Sequence, residues 1–190
     1  TKIILYMKQK KIKYFNLSKL RDIHYDRLIN KVKNNFNVDM NDWVSNPYTF
    51  LKSRFYIEFS CILVYLAQFT NITPNIFTMT YAVLGVLGAF LITINNDFII
   101  LSGLLILFTK NVFDWGDGLL AKIKNQSSDL GGLLDSWGGI VGAYTFIGGF
   151  GFYLFNKTNN ELFLIIAFLI ILLKALDLKD FAYQMSMYEL

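Results

Sequence analysis

Four apolar runs, residues 75–94, 98–122, 130–155 and 161–177, fill most of the chain beyond residue 74. Short polar breaks separate them: Asn95-Asn96-Asp97, then Lys122 to Ser128, then Asn156 to Asn160. Helical runs of about 20 apolar residues match a hydrocarbon core about 30 Å thick. The pattern predicts an all-α fold, a polytopic integral membrane helical bundle with four spans. Composition supports this, because 54% of the residues are hydrophobic and they come in blocks rather than being spread as in a soluble domain.

Upstream of the spans the character changes. Residues 1–55 carry twelve Lys and Arg against four Asp and Glu, while the remaining residues carry six against ten. A net +8 front therefore precedes a net −4 remainder, which together give the formal +4. Residues 1–46 read as a basic segment of short, partly helical pieces, in which Tyr6, Tyr14, Phe15, Leu17 and Leu20 alternate with lysines. A basic amphipathic front suits an anionic lipid surface; a solubilising tail that contacts nothing is the plainer reading. Aromatics between lysines can serve single-stranded nucleic acid, but beside membrane spans an interfacial role is favoured, and no nucleic-acid partner is expected. The cluster Lys8, Lys10, Lys11 and Lys13 suits lipid headgroups or a phosphorylated acceptor equally.

Residues 47–70 predict a juxtamembrane amphipathic helix. Phe50, Leu51, Phe55, Phe59, Ile62, Leu63, Leu66 and Phe69 recur at helical spacing, and Lys52, Arg54 and Glu58 interrupt the run. The helix is expected to lie along the interface and to stop before Pro74, which cannot continue it. Residues 71–190 then form the transmembrane domain. The N-terminal segment and Lys122/Lys124 fall on one side of the spans, and Asp97 and Lys157 on the other. By the positive-inside bias, the first side is cytoplasmic.

Several chemistries are excluded. The single Cys61 rules out an internal disulfide and a cysteine zinc site. The single His24, set among charged residues, rules out a histidine metal cluster. The first residues are mixed and basic, unlike a signal peptide, and Thr1 is expected to lie downstream of a natural start.

Three aspartates sit inside the apolar runs, in the frame Asp114-x-x-Asp117-Gly118-x-x-Ala121 and then Gly131-x-x-x-Asp135. Each carboxylate at hydrocarbon depth costs roughly 2.5–3.5 kcal/mol on insertion scales, so three together call for a cation. Hard divalent ions take oxygen ligands, and Mg²⁺ commonly combines carboxylates with substrate phosphates. Asp114 and Asp117 at i and i+3 share a helix face. Gly118 and Ala121 continue that face almost without side chains, leaving a groove in which a ligand can approach the backbone. Asp135 comes from the next helix. Simpler readings exist: small residues pack membrane helices, as expected of Gly138-x-x-x-Gly142, and a lone Asp can cap a helix or pair with Lys110. Capping does not account for Asp114 and Asp117 together.

The frame Asp114-x2-Asp117-Gly118-x2-Ala121-Lys122-x8-Gly131-x3-Asp135 resembles the signature of the CDP-alcohol phosphotransferases, and Thr73-Pro74-Asn75-Ile76-Phe77-Thr78 resembles the approach to their first span. The resemblance covers about residues 47–180. It implies a membrane enzyme that uses Mg²⁺ or Mn²⁺ to displace CMP from a CDP-alcohol donor with the hydroxyl of an alcohol acceptor, in phospholipid or related synthesis. It implies that Asp114, Asp117 and Asp135 are metal ligands, that Gly118 and Gly131 make room for the cytidine diphosphate, and that Asn75 and Thr78 lie near the nucleotide, with Ala121 and Lys122 beside it. A homodimer is among the assemblies it admits.

Two positions depart from the pattern. Lys122 stands where the family has Arg, keeping the charge but losing the planar fork. Gly139 stands where a fourth Asp is expected, a metal neighbour and the general base for the acceptor hydroxyl, so no residue is assigned as base. Loss of a general base typically costs 10²–10⁴-fold. A catalytically impaired member, acting as a lipid- or nucleotide-binding protein or partner subunit, is therefore the alternative. The family usually has six spans against the four counted, which points to a C-terminal truncation. A channel or transporter is the third reading; the acids cluster at one face and no repeated half is visible, which counts against it.

Overall fold

A computed structural model describes residues 14–36 and 39–176. Every regular element among the described residues is a helix, with no strand among them: α1 Leu17–Phe36, α2 Pro47–Ala67, α3 Pro74–Leu91, α4 Asp97–Thr109, α5 Asn111–Lys124, α6 Asp129–Thr158 and α7 Leu162–Ala175. The all-α expectation holds. Residues 1–13, with Tyr6 and the Lys8–Lys13 cluster, lie outside the described residues.

Boundaries follow local chemistry. Pro47 opens α2 and Pro74 opens α3, where the missing N–H has no helical partner to lose. Asn96 caps α4 by accepting from the backbone N–H of Phe98 at 3.0 Å and of Ile99 at 3.2 Å. Asn125 ends α5 with φ at 51°. The N–H of Gln126 then reaches back to the Ala121 carbonyl at 2.9 Å, a Schellman-type closure that turns the chain into the 126–128 loop. Ser128 starts α6 by accepting from the Gly131 N–H at 3.1 Å.

Three helical stretches, Pro74–Leu91, Asp97–Lys124 and Asp129–Thr158, are long and apolar enough to cross a membrane. The second contains α4 and α5, joined through Lys110. The expected fourth span appears as α7, which has 14 residues and so reaches about 21 Å, short of the core thickness.

The chain divides into two compact units. The first takes the described residues up to Thr80 together with Asn111–Asp135, and the second takes Tyr81–Lys110 and the described residues from Ser136 onward. In the first unit, α2 packs against both α1 and α5, around Leu20, Ile57, Cys61, Val64, Leu119 and Leu120. Within the basic front, Leu17–Phe36 form one 20-residue helix with a docked face. Leu20 and His24 are fully buried. Gln68 clips the approach to α1, accepting from the Phe15 N–H and donating to the Phe15 carbonyl, both at 2.9 Å. Lys124 ties down the end of α2 and the following turn by donating to the carbonyls of Ala67, Thr70 and Ile72 at 2.8–3.0 Å.

The packed face of α2 differs from its most apolar face. Ser53, Tyr56, Ile57, Ser60, Cys61, Val64 and Ala67 are buried. Of the stripe anticipated from the sequence, Leu51, Phe59, Ile62, Leu66 and Phe69 are exposed, Phe50 and Phe55 are half-buried, and Leu63 packs against the core. Close packing with α1 and α5 takes Ser53, Ser60, Cys61 and Ala67 together with Tyr56, Ile57 and Val64, and other large apolar side chains are left outward.

In the second unit, glycines let helices approach. A Cβ on Gly149 would stand 2.5 Å from the Ala89 carbonyl oxygen, and one on Gly103 would stand 2.9 Å from the Gly88 oxygen. Lys110 is buried with its ammonium 3.9 Å from the Tyr81 ring centroid. Gly138 faces Tyr81, and Gly142 faces the Lys110 ammonium and the Tyr81 hydroxyl.

Candidate functional site

The first unit contains a cleft of about 280 Å³. Five elements line it: Arg27 from α1; Pro74, Asn75 and Thr78 from α3; Asp117, Gly118 and Ala121 from α5; Gln126, Ser127 and Ser128 from the loop; and Gly131, Gly132 and Asp135 from α6. Six of the residues singled out in the sequence therefore meet at one place besides Asp135: Asn75, Thr78, Asp117, Gly118, Ala121 and Gly131.

Asp117 is the deepest carboxylate, only 9% exposed. Its Oδ2 accepts from the Thr78 hydroxyl at 2.7 Å. Thr78 also faces the Pro74 carbonyl at 3.4 Å, but one hydroxyl proton serves the shorter, charge-assisted bond. Thr78 is thereby a fixed support for the carboxylate, a role not evident from its sequence position. Asp135 lines the same cleft from its exposed rim. Gly131 keeps α6 close to the Asn75 amide, since a Cβ there would lie 3.4 Å from Asn75 Oδ1.

Asp114, half-buried on α5, and Lys122, which is exposed, are not among the lining residues. Among the described residues no three His, Cys, Asp or Glu side chains form a ready ligand group. The residue that joins Asp117 and Asp135 in the cleft is a cation.

That cation, Arg27, was not anticipated. It sits on the docked face of α1, seven residues after Leu20 and three after His24, and lies so close to Gly118 that a Cβ there would strike the guanidinium. Burial lowers its proton affinity, and the charges of Asp117 and Asp135 act the other way. The signal was present as one apolar stripe through an otherwise charged helix, with Arg27 at its edge.

The lining offers carboxylate, carboxamide and hydroxyl oxygens, and neither Cys nor His. Such a donor set fits a hard divalent ion. The model of the CDP-alcohol phosphatidyltransferase family matches residues 71–186, more than half of the chain. The chain belongs to that family. Its members transfer a phosphoalcohol group from a CDP-alcohol in phospholipid synthesis and are generally dependent on divalent metal. No curated protein matches the chain. Every lining residue except Arg27 falls within the family-matched stretch. The family and the three apolar helices together mark an integral membrane protein.

Proposed function

We propose that the cleft binds a CDP-alcohol and that the protein transfers its phosphoalcohol group to an alcohol acceptor, releasing CMP. The observation that carries this reading is the convergence of Asp117 and Asp135, from separate helices, on a cleft floored by Gly118, Ala121 and Gly131. The acceptor oxygen forms a bond to the phosphorus that bears the alcohol. The bond from that phosphorus to the bridging oxygen breaks, CMP leaves, and the acceptor proton passes to solvent.

Asp114, Asp117 and Asp135 would hold Mg²⁺ or Mn²⁺, which supplies charge stabilisation for the diphosphate. Thr78 holds the Asp117 carboxylate through the 2.7 Å hydrogen bond. Gly118 gives room to the Arg27 guanidinium, Ala121 and Gly131 leave the backbone accessible to the nucleotide, Asn75 faces it from α3, and Lys122 supplies positive charge. The protein is multi-pass, and its basic N-terminal segment keeps the cleft on the cytoplasmic side, where nucleotides are available.

The test is CMP release from CDP-alcohols by the full chain in lipid nanodiscs with Mg²⁺ or Mn²⁺. Asp117→Asn and Asp114→Asn are each expected to abolish release; release unaffected by both removes the metal role. Gly139 favours a second reading, a binding member with impaired turnover. A Cβ on Gly139 meets nothing within 4 Å, so an Asp side chain has room. A 10²–10⁴-fold gain in Gly139→Asp would identify a site lacking only its base, and no gain would leave the missing carboxylate without consequence.

A further inference from the structure

We propose that Arg27 is a phosphate-binding residue of the cleft, supplied by the N-terminal helix from outside the family-matched stretch. This rests on the reading of the cleft as a CDP-alcohol site. Three observations converge on it.

The first is position. The Arg27 guanidinium lies over Gly118, on the side-chain-free stretch of α5 where a ligand can come closest to the backbone. The second is its bonding. Asp117 and Asp135 act on it electrostatically, yet among the described residues it forms no ion pair with either. A half-buried guanidinium with its fork of donors uncommitted calls for an acceptor with several oxygens. Phosphate matches that fork in two parallel hydrogen bonds.

The third is anchorage. One and two turns before Arg27, the fully buried His24 and Leu20 fix the helix to α2. His24 Nε2 lies 3.0 Å from Ser60 Oγ, and Arg21 pairs with Glu58 at 2.6 Å. The guanidinium is therefore carried on a docked helix, which limits the freedom lost when a ligand binds. The phosphate oxygens belong either to the diphosphate of the donor or to a phosphorylated acceptor, which offer the same chemistry to an arginine.

The experiment measures equilibrium binding to the full chain in nanodiscs with Mn²⁺, using CDP, cytidine and glycerol 3-phosphate as probes. Arg27→Gln is expected to weaken one phosphate-bearing probe at least about tenfold and to leave cytidine within about twofold. A loss confined to CDP assigns Arg27 to the donor diphosphate, and one confined to glycerol 3-phosphate assigns it to the acceptor. Arg27→Lys, which keeps the charge and loses the fork, is expected to fall between wild type and Arg27→Gln; it carries the test where the glutamine variant does not fold. Unchanged affinity for both phosphate probes overturns the proposal. An equal loss for cytidine and CDP also overturns it, because it shows a structural role. Wild-type protein that binds no CDP sinks the functional reading; in that case an Arg27-dependent affinity for glycerol 3-phosphate still upholds this assignment, and its absence ends it.

Discussion

Particular glycines of the two units stand opposite different neighbours. In the first unit, Gly118 is opposed by the tip of Arg27, and Gly131 by the side-chain oxygens of Ser128 and Asn75. In the second, Gly149 is opposed by the backbone of Ala89, Gly103 by the backbone of Gly88, and Gly151 by Ala167. A glycine facing polar side-chain ends clears space that a ligand can take. A glycine facing backbone clears space that another helix has already taken, as membrane helices do when small residues line their contacts. Gly118 and Gly131 are therefore expected to lose function before stability when altered, and Gly149, Gly103 and Gly151 to do the reverse.

The largest effect should come from Asp117. Asp117→Asn keeps the shape and the Thr78 contact but removes the charge. It is expected to lower CMP release by more than about 100-fold, beyond the loss typical of an outer-shell change, while thermal unfolding in detergent shifts little. A large loss of stability would mean that Asp117 serves the fold, and the contrast between the units would fail.

The first unit also contains a buried histidine whose ring is held neutral. His24 is fully buried, and its Nδ1 has no partner among the described residues. Burial, with the nearby Arg27 charge second, holds its pKa down to about 4. The folded state keeps the ring neutral, whereas unfolding lets it take a proton below its ordinary value of 6.5. Its stabilising contribution is whole above that value and drains away as pH falls toward 4, by about 3 kcal/mol in all. Trp115 reports on the first unit through its contact with Tyr56, and Trp137 belongs to the second. Single-tryptophan variants should show the acid-sensitive transition at Trp115, and His24→Gln should flatten it. Equal sensitivity at Trp137 would break the distinction.

Much of this was legible beforehand, for definite reasons. Apolar blocks of membrane length specify helices whatever they pack against, so the first three spans emerged directly, while the fourth block forms only the 14-residue α7. The frame from Asp114 to Asp135 located most of the cleft, because spacing along a helix fixes which residues share a face. Arg27 and the docked face of α1 were hidden because the Leu20, His24, Arg27 stripe is thin and surrounded by charges. Which face of α2 meets protein was not legible for a different reason. At a membrane surface large apolar side chains are stable facing outward, so hydrophobicity alone does not say which side meets protein. Glycines posed the same ambiguity, since sequence does not reveal what stands opposite.

A third test targets that ambiguity in the second unit. Gly149→Ala pushes a methyl group against the Ala89 carbonyl oxygen, 2.5 Å from the new Cβ. Backbone cannot swing aside as a side-chain tip can, so overpacking of about 1–3 kcal/mol is expected. A lowered melting temperature in nanodiscs, with CMP release retained per folded molecule, is the outcome that fits.

The smallest effect should have the opposite sign. Gly139 lies on α6, the same helix as Gly149, and a Cβ there meets nothing within 4 Å. Gly139→Ala therefore removes backbone freedom without crowding any neighbour, and should raise stability by up to about 1 kcal/mol. The pair makes a stringent test because helix, residue type and substitution are the same and only the opposing atoms differ. If both variants destabilise equally, glycine content of the helix itself governs stability, and the division between space kept for a ligand and space filled by a neighbouring backbone loses its basis.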